Sequence, residues 1–354
     1  MIVAGGGTGG HLFPGLAVAQ AAAAGGAAVA WIGSRGGLEA RVIPQTTFAF
    51  HALPIRGLRG RGWRGVVDVM WQLPVSVATA WRLIGRMRPH VVLGVGGYGS
   101  APAILAAWLR RVPRVLLEQN ARPGMTNRWL ARISQRVCTA FADAATFFPP
   151  DRTTVTGTPI RTLGASVPSS PHDGFTMLIF GGSQGAHKLN VAVTDALDAL
   201  RRIPDLRIIH QTGVKDEAWV KERYARAGVD ARVTSFIDDM SRAYGAADLV
   251  VCRAGTTTAE ITALGKPAIL VPYPFAADDH QRANAEVLVR HGAAEMILDR
   301  DLTGVVLAER VHALAADPSR RRAMATAAAA LGVPDAAARV LAVCCEVAGE
   351  GGNA

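Results

Sequence analysis

A chain of 354 residues is long for one core and comfortable for two domains. Half of its residues are hydrophobic and 19% are charged, which excludes a disordered chain. The net charge of +10 is uneven: residues 1–150 carry 16 basic against 4 acidic side chains, +12, and residues 151–354 carry 22 against 24, −2. A basic half of this kind suits nucleic acid, an anionic membrane or a phosphorylated substrate, and it is also what a soluble basic face looks like. The four cysteines, Cys138, Cys252, Cys344 and Cys345, show neither C-x-x-C nor zinc spacing, which fits a reduced cytosolic setting.

The first element is a short strand, Ile2 to Ala4, followed by Gly5-Gly6-Gly7-Thr8-Gly9-Gly10-His11 and a helical run over 14–24. Strand, glycine turn and helix together point backbone N–H groups at an anion. Gly5, Gly7 and Gly10 also spell G-x-G-x-x-G. A dinucleotide site needs a carboxylate at the end of the next strand, expected over 27–32. Gly33-Ser34-Arg35-Gly36 stands there instead, and the nearest acid is Glu39. That argues against NAD and leaves NADP only through Arg35. No Gly-Lys-Ser/Thr follows the glycines, so a P-loop is excluded. Residues 12–34 carry no charge, but no basic residue precedes them, and Pro14, Gly15, Gln20, Gly25 and Gly26 interrupt them. A buried helix and strand fit better than a signal or a membrane span.

A basic glycine loop at 54–65 leads to a helical stretch over 66–88, with Trp71 and Trp81 beside Arg82, Arg86 and Arg88. Bulky apolar residues beside arginines read as a membrane-interface element or as an ordinary amphipathic helix on a sheet. A strand over 91–95 opens into a second glycine turn, Gly96 to Ser100, and a helix over 102–110. A strand over 114–117 ends in Glu118-Gln119-Asn120, and another is expected over 137–140. Polar groups at the carboxyl ends of buried strands sit where open α/β sheets bind ligands.

Prolines and glycines between 149 and 174 mark an interdomain connection. The opening pattern then restarts: a strand over 176–180, a glycine turn Gly181 to Gly185, and a helix over 189–201. Strands follow over 207–211, 232–236, 248–252 and 268–271. Two such starts half a chain apart predict two doubly wound α/β domains facing a cleft. After the strand at 248–252, Gly255, Thr256, Thr257 and Thr258 precede a helix, placing N–H groups and hydroxyls as a diphosphate site would need. Glu260 in its first turn suits a ribose diol or the helix dipole. The loop over 272–284 offers His280, Gln281 and Asn284 to sugar hydroxyls. Asp299-Arg300-Asp301 spells the D-x-D of metal-dependent sugar transferases but reads as a turn, and no metal cluster is evident. The tail from Leu307 is Ala- and Arg-rich helix, with a structural role as the default.

In this order the motifs resemble the MurG family of bacterial lipid II-forming transferases. The matching stretches are residues 5–11 with Pro14, 55–60, 94–100, 118–120, 157–161, 181–190, 236–240, 252–260 and 281–284. They span nearly the whole chain. The resemblance implies a GT-B fold, two Rossmann-like domains with an interdomain cleft. Its layout would be an acceptor and membrane-docking domain over 1–155, a linker over 156–172, a UDP-GlcNAc domain over 173–335 and a C-terminal helix and tail over 336–354. It implies an inverting transfer of GlcNAc from UDP-GlcNAc to the 4-hydroxyl of MurNAc in lipid I, for peptidoglycan synthesis. The setting implied is the cytoplasmic face of the cell membrane, at an anionic surface, with no nucleic acid and no cofactor or metal, UDP-GlcNAc being a substrate.

By the same resemblance His11 is the general base, a role that suits imidazole near neutral pH, and Glu118 shares the catalytic site. Donor contacts fall to Thr8, Gly9, Gly10, Asn120, Arg161, Ser183, Gln184, the main chain of Ile237, Thr256, Thr257, Thr258, Glu260, His280, Gln281 and Asn284. Gly7 and Tyr98 lie on the acceptor side, where the first glycine turn would hold the lipid diphosphate. Trp71, Trp81, Arg82 and Arg86 face the membrane. The chain departs from the family pattern at Leu117, usually His, at Thr158, usually Asn, and in a segment from 255 to 260 that is one residue short. Alternatives are a GT-B transferase acting on another lipid such as diacylglycerol, a nucleotide-binding membrane adaptor without turnover, and an NADP oxidoreductase.

Overall fold

The computed structural model describes the backbone of residues 1–55, 62–160, 174–182 and 185–351, and the side chains of all of these except 62–70, 350 and 351. The chain divides into two compact units, Met1–Arg161 with Val333–Ala354, and Thr162–Gly332.

The first unit holds seven strands: β1 Ile2–Ala4, β2 Ala30–Ser34, β3 Ala49–Leu53, β4 Val92–Gly94, β5 Arg114–Glu118, β6 Arg136–Thr139 and β7 Thr153–Val155. They form one sheet in the order β3-β2-β1-β4-β5-β6-β7, with every pairing parallel. Parallel strands need crossovers, and the helices that make them cover both faces. Within β1, Val3 packs on one face with Leu12, Trp31 and Leu117, while Ile2 and Ala4 pack on the other with Ile32, Ile104 and Leu116. The order reverses beside β1, where β4 pairs on its other side. That is the switch point where such sheets bind ligands.

The second unit holds β8 Phe175–Phe180, β9 Leu206–Gln211, β10 Ala231–Thr234, β11 Leu249–Cys252, β12 Ala268–Leu270 and β13 Ala294–Met296. These too are all parallel, in the order β10-β9-β8-β11-β12-β13. The switch point lies beside β8.

Three strands were not expected from the sequence: β3, β7 and β13. Each is at a sheet edge, and each lacks the continuous burial of the central strands. Half-exposed edges carry no long apolar run, so the pattern that reveals central strands is absent there. The uncharged stretch after His11 is a helix, Gly9–Ala24, and then β2. The helix begins at Gly9, five residues before the expected start, so His11 stands in its first turn. The C-terminal helix Ala336–Gly351 returns to the first unit. Its Val340, Val343, Cys344 and Val347 join the core that contains Val3, Val115 and Cys138.

Candidate functional site

In the first unit the two glycine turns lock into one another. A Cβ on Gly97 would lie 2.4 Å from Gly6 O, and one on Gly5 would lie 2.5 Å from Gly96 O. Only bare backbone permits that approach. The turn is braced from below by Trp31, whose indole N–H donates to Gly5 O at 2.9 Å. Gly7, at φ +93, lies under the ring of Tyr98, 3.2 Å from the position a Cβ would take. The His11 ring packs closely against the second turn: a Cβ on Gly96 would be 2.7 Å from His11 Cδ2 and 3.1 Å from Nε2. Thr8 Oγ1 is 3.0 Å from His11 Nδ1. Thr8, Gly9, Gly10, His11, Gly7 and Tyr98 are therefore brought together at the carboxyl ends of β1 and β4.

The anion of the first turn is internal. Glu39, fully buried, accepts from Gly7 N at 2.6 Å and from Ser34 N and Oγ at 2.9 and 2.7 Å. A carboxylate already bound at the Gly7 N–H opposes a second anion at that N–H. Glu39 comes from the turn after β2, and sequence reading passed over it because it lies five residues beyond the strand end.

Glu118 ends β5 and is 1% exposed. Its Oε1 accepts from Asn120 N and Nδ2 at 3.0 and 3.1 Å, and its Oε2 from Gly124 N and Asn127 Nδ2 at 3.1 and 2.9 Å. Burial pushes its pKa up, against the downward pull of those four donors. All four contacts are internal, so Glu118 holds the segment from Asn120 to Asn127 against the end of β5. The same loop holds Asn127, which the sequence reading missed. Its Nδ2 also donates to Leu117 O at 3.1 Å, and it lies 3.3 Å from the Cβ position of Gly96. Leu117 is wholly buried in the core, and Thr158 Oγ1 reaches Gln119 O at 3.5 Å. Both departures from the family pattern are thus absorbed locally.

The helix Gly62–Met87 buries Ser76, Ala80 and Ile84 and exposes Trp71 at 76% and Trp81 at 43%, with Arg82 and Arg86 exposed beside them. The neighbouring helix Ala101–Leu109 adds exposed Trp108 and Leu109. Between the two helices lies an apolar groove lined by Leu73, Val77, Trp81, Leu105 and Leu109. Arg110 stacks 3.7 Å over the Trp81 ring.

In the second unit Gln211, at the end of β9, links two expected contacts. Its Nε2 donates to Gly182 O at 2.8 Å and its Oε1 accepts from Ile237 N at 3.1 Å. The Ile237 N–H is thus engaged within the unit. Ser183 and Gln184 of this turn, and Arg161, lie outside the described residues. Glu260 stands in the first turn of the helix Thr257–Ala263, where the phenol of buried Tyr244 donates to its Oε2 at 2.8 Å. Thr256 and Thr257 are half-buried, and Thr258 Oγ1 donates back to Gly255 O at 2.9 Å. His280 Nδ1 lies 2.6 Å from Ala277 O, Gln281 Oε1 accepts from Tyr273 N at 2.9 Å, and Asn284 Nδ2 donates to Ala254 O at 3.1 Å. The last contact joins the loop over 272–284 to the loop after β11.

Behind the second-unit glycine turn lies a polar chain that no motif announced. His187 Nδ1, Asn190 Nδ2 and Trp219 Nε1 all reach the Asp216 carboxylate, at 2.7 to 3.0 Å. Burial pushes the Asp216 pKa up, but those hydrogen bonds hold it below the ordinary carboxylate range. Asn190 Oδ1 is 3.0 Å from His210 Nε2, and His210 Nδ1 is 3.0 Å from Tyr224 OH. Asn190 Oδ1 can only accept, so His210 carries its proton on Nε2 and accepts from Tyr224 on Nδ1. Burial lowers the His210 pKa to about 3.

Two parallel-sheet Rossmann-like units, each with glycine turns and polar side chains at the carboxyl ends of its strands, define the GT-B class of sugar-nucleotide-dependent glycosyltransferases. The chain belongs to glycosyltransferase family 28: the family's N-terminal domain matches residues 1–139 and its C-terminal domain residues 176–340. It is 47% identical over 354 residues to a protein of Anaeromyxobacter dehalogenans (strain 2CP-C) named UDP-N-acetylglucosamine--N-acetylmuramyl-(pentapeptide) pyrophosphoryl-undecaprenol N-acetylglucosamine transferase, covering 98% of this chain and 92% of that one. A protein of the same name from Myxococcus xanthus (strain DK1622) is 43% identical over 357 residues, with the same coverages. Among solved structures, Acinetobacter baumannii MurG aligns with a TM-score of 0.82 at 32% identity, covering 98% of each chain.

Proposed function

We propose that this protein is the inverting transferase that moves N-acetylglucosamine from UDP-N-acetylglucosamine to the 4-hydroxyl of N-acetylmuramic acid in lipid I, giving lipid II for peptidoglycan synthesis. Near-full-length similarity to relatives of that name supports the substrates. The single geometric observation that carries the chemistry is the His11 ring, packed against the Gly96 turn with Thr8 Oγ1 at Nδ1. With Nδ1–H donating to Thr8, Nε2 carries the lone pair that takes the acceptor proton. The acceptor oxygen then bonds to the anomeric carbon as the bond to UDP breaks, and the charge grows on the departing diphosphate.

The second unit supplies the donor contacts: the main chain of Ile237 for the base, Glu260 for the ribose, and His280, Gln281 and Asn284 for the sugar. The glycine turn over 181–185, and Thr256, Thr257 and Thr258 at the start of the helix Thr257–Ala263, meet the diphosphate. The reaction as written uses no resident cofactor. The exposed tryptophans of the first unit and Arg82 and Arg86 dock on anionic lipid at the cytoplasmic face of the membrane, where the acceptor resides.

The deciding experiment gives purified protein labelled UDP-GlcNAc and a soluble lipid I analogue, with UDP-glucose and diacylglycerol as competing substrates. Transfer of GlcNAc to the lipid I analogue, and a drop of about 100-fold or more in His11→Ala with UDP binding retained, is expected. Transfer to diacylglycerol instead rejects the reading, and full turnover in His11→Ala removes His11 as the base.

A further inference from the structure

Asp299 begins the D-x-D spelling, and the structure gives it a different employment. It stands in a single tight turn after β13, and its side chain is 13% exposed. Its Oδ1 meets Arg253 Nη1 at 2.6 Å and its Oδ2 meets Lys188 Nζ at 3.3 Å. One carboxylate thus joins a cation at the end of β11 to one in the first turn of the helix His187–Asp195.

Both cations adjoin segments that the proposed function assigns to the donor. Lys188 lies in the first turn of the helix His187–Asp195, directly after the glycine turn. Arg253 is the residue between β11 and the segment over 254–260. Its guanidinium, with the side chain only 10% exposed, also donates to Val271 O at 3.1 Å and Pro272 O at 3.2 Å, and sits 5.6 Å from the Tyr273 ring centre. Those carbonyls open the segment that leads into the helix His280–Arg290, whose first residues are His280 and Gln281. Arg253 therefore ties the donor segments to each other, and Asp299 ties Arg253 to the glycine-turn helix.

We propose that Asp299 is a positioning residue for the sugar nucleotide, holding the glycine-turn helix and the segment over 254–260 at a fixed spacing through Lys188 and Arg253. The inference rests on the donor role proposed above for this unit. Two effects oppose one another when Asp299 is neutralised. Removing a negative charge near a diphosphate favours binding through Coulomb attraction. Leaving a nearly buried guanidinium without its carboxylate displaces the segments it holds. The second effect is the larger here, because Arg253 is nearly buried and its other hydrogen-bond partners are two backbone carbonyls that cannot balance its charge.

The test measures UDP affinity by calorimetry and the UDP-GlcNAc KM and kcat of wild type, Asp299→Asn, Asp299→Glu, Lys188→Met and the double variant K188M/D299N. In D299N the UDP Kd and the UDP-GlcNAc KM are expected to rise about 10-fold with kcat changed less than about threefold, because a ground-state contact is lost. D299E is expected to recover most of the affinity. K188M keeps the Arg253–Asp299 pair and is expected to weaken UDP about threefold, with the double variant no weaker than D299N because both changes cut one tie. UDP binding in D299N equal to or tighter than wild type overturns the proposal, as do additive losses in the double variant. A wild-type protein that binds no UDP overturns the donor reading itself, and the tie with it.

Discussion

Glu39 Oε2 lies 2.6 Å from the backbone nitrogen of Gly7, so the first glycine turn closes on a carboxylate of its own. Glu39 Oε1 holds Ser34 N and Oγ at the same time. In Glu39→Gln one end of the side chain becomes a donor facing a buried N–H. A loss of about 2–3 kcal/mol in stability is expected, from a broken hydrogen bond and an unsatisfied donor. The urea midpoint measures it, and UDP affinity, which belongs to the second unit, should stay at the wild-type level. A midpoint unchanged within error would remove Glu39 from the architecture of the turn.

Glu118 meets two N–H donors at each oxygen. Glu118→Gln must point its NH₂ at one of those pairs. The loop from Asn120 to Asn127 should then loosen, and kcat for transfer should fall about 10-fold or more while the UDP-GlcNAc KM changes little, as for an interaction made on the acceptor side. A fall confined to the donor KM would contradict this placement.

Tyr244 holds Glu260 from inside the second unit. Glu260→Ala is expected to weaken UDP-GlcNAc by about 1–3 kcal/mol and Tyr244→Phe by about 1 kcal/mol, the range for lost hydrogen bonds to a charged group. If Tyr244 acts only by orienting Glu260, the double variant will be no weaker than Glu260→Ala. Calorimetry with UDP decides it. Unchanged affinity in Glu260→Ala would return the carboxylate to its helix-dipole role.

His210 predicts a pH dependence. Its folded pKa, about 3, is below the ordinary histidine value, so the unfolded chain binds the extra proton. The stabilisation is complete above the unfolded pKa and is lost as pH falls through the window down to about 3. Between pH 7 and pH 5 the second unit should lose about 2 kcal/mol from this group, with Asp216 still ionised. Urea titrations of wild type and His210→Gln at the two pH values test it. Equal pH slopes in the two proteins would assign the loss to other groups.

Trp81 and Arg110 act together on the apolar face of the first unit, the guanidinium 3.7 Å from the ring centre. Binding to anionic vesicles should weaken in Trp71→Ala/Trp81→Ala and fall as salt rises, because Debye screening shortens to about 3 Å at molar salt. Transfer to a soluble acceptor should survive these changes. Equal binding to neutral and anionic vesicles would speak against the basic face.

Much of the molecule was legible because central parallel strands are buried on both faces and advertise themselves as apolar runs, β1, β5, β8 and β11 among them. The glycine turns were legible for a related reason: a sharp turn against a neighbouring backbone tolerates no side chain, so Gly5, Gly97 and Gly185 are written into the chain. Edge strands β3, β7 and β13 were not legible, since half-exposed positions accept almost any residue. Asp299 was spelled as one motif and folded into another, because its partners Arg253 and Lys188 lie 46 and 111 residues away along the chain.

The sequence by itself determined the two doubly wound domains, the family and the residues that line the strand ends, since these depend on local pattern and on motifs within a few residues of each other. Tertiary structure alone decided what those residues do with their charges. It placed Glu39 under the turn that was to hold a diphosphate, brought four N–H donors from Asn120, Gly124 and Asn127 onto Glu118, and returned the C-terminal helix to the first unit. Each of these depends on groups far apart in the chain meeting in a desolvated place, where an unpaired charge or N–H costs too much to leave alone.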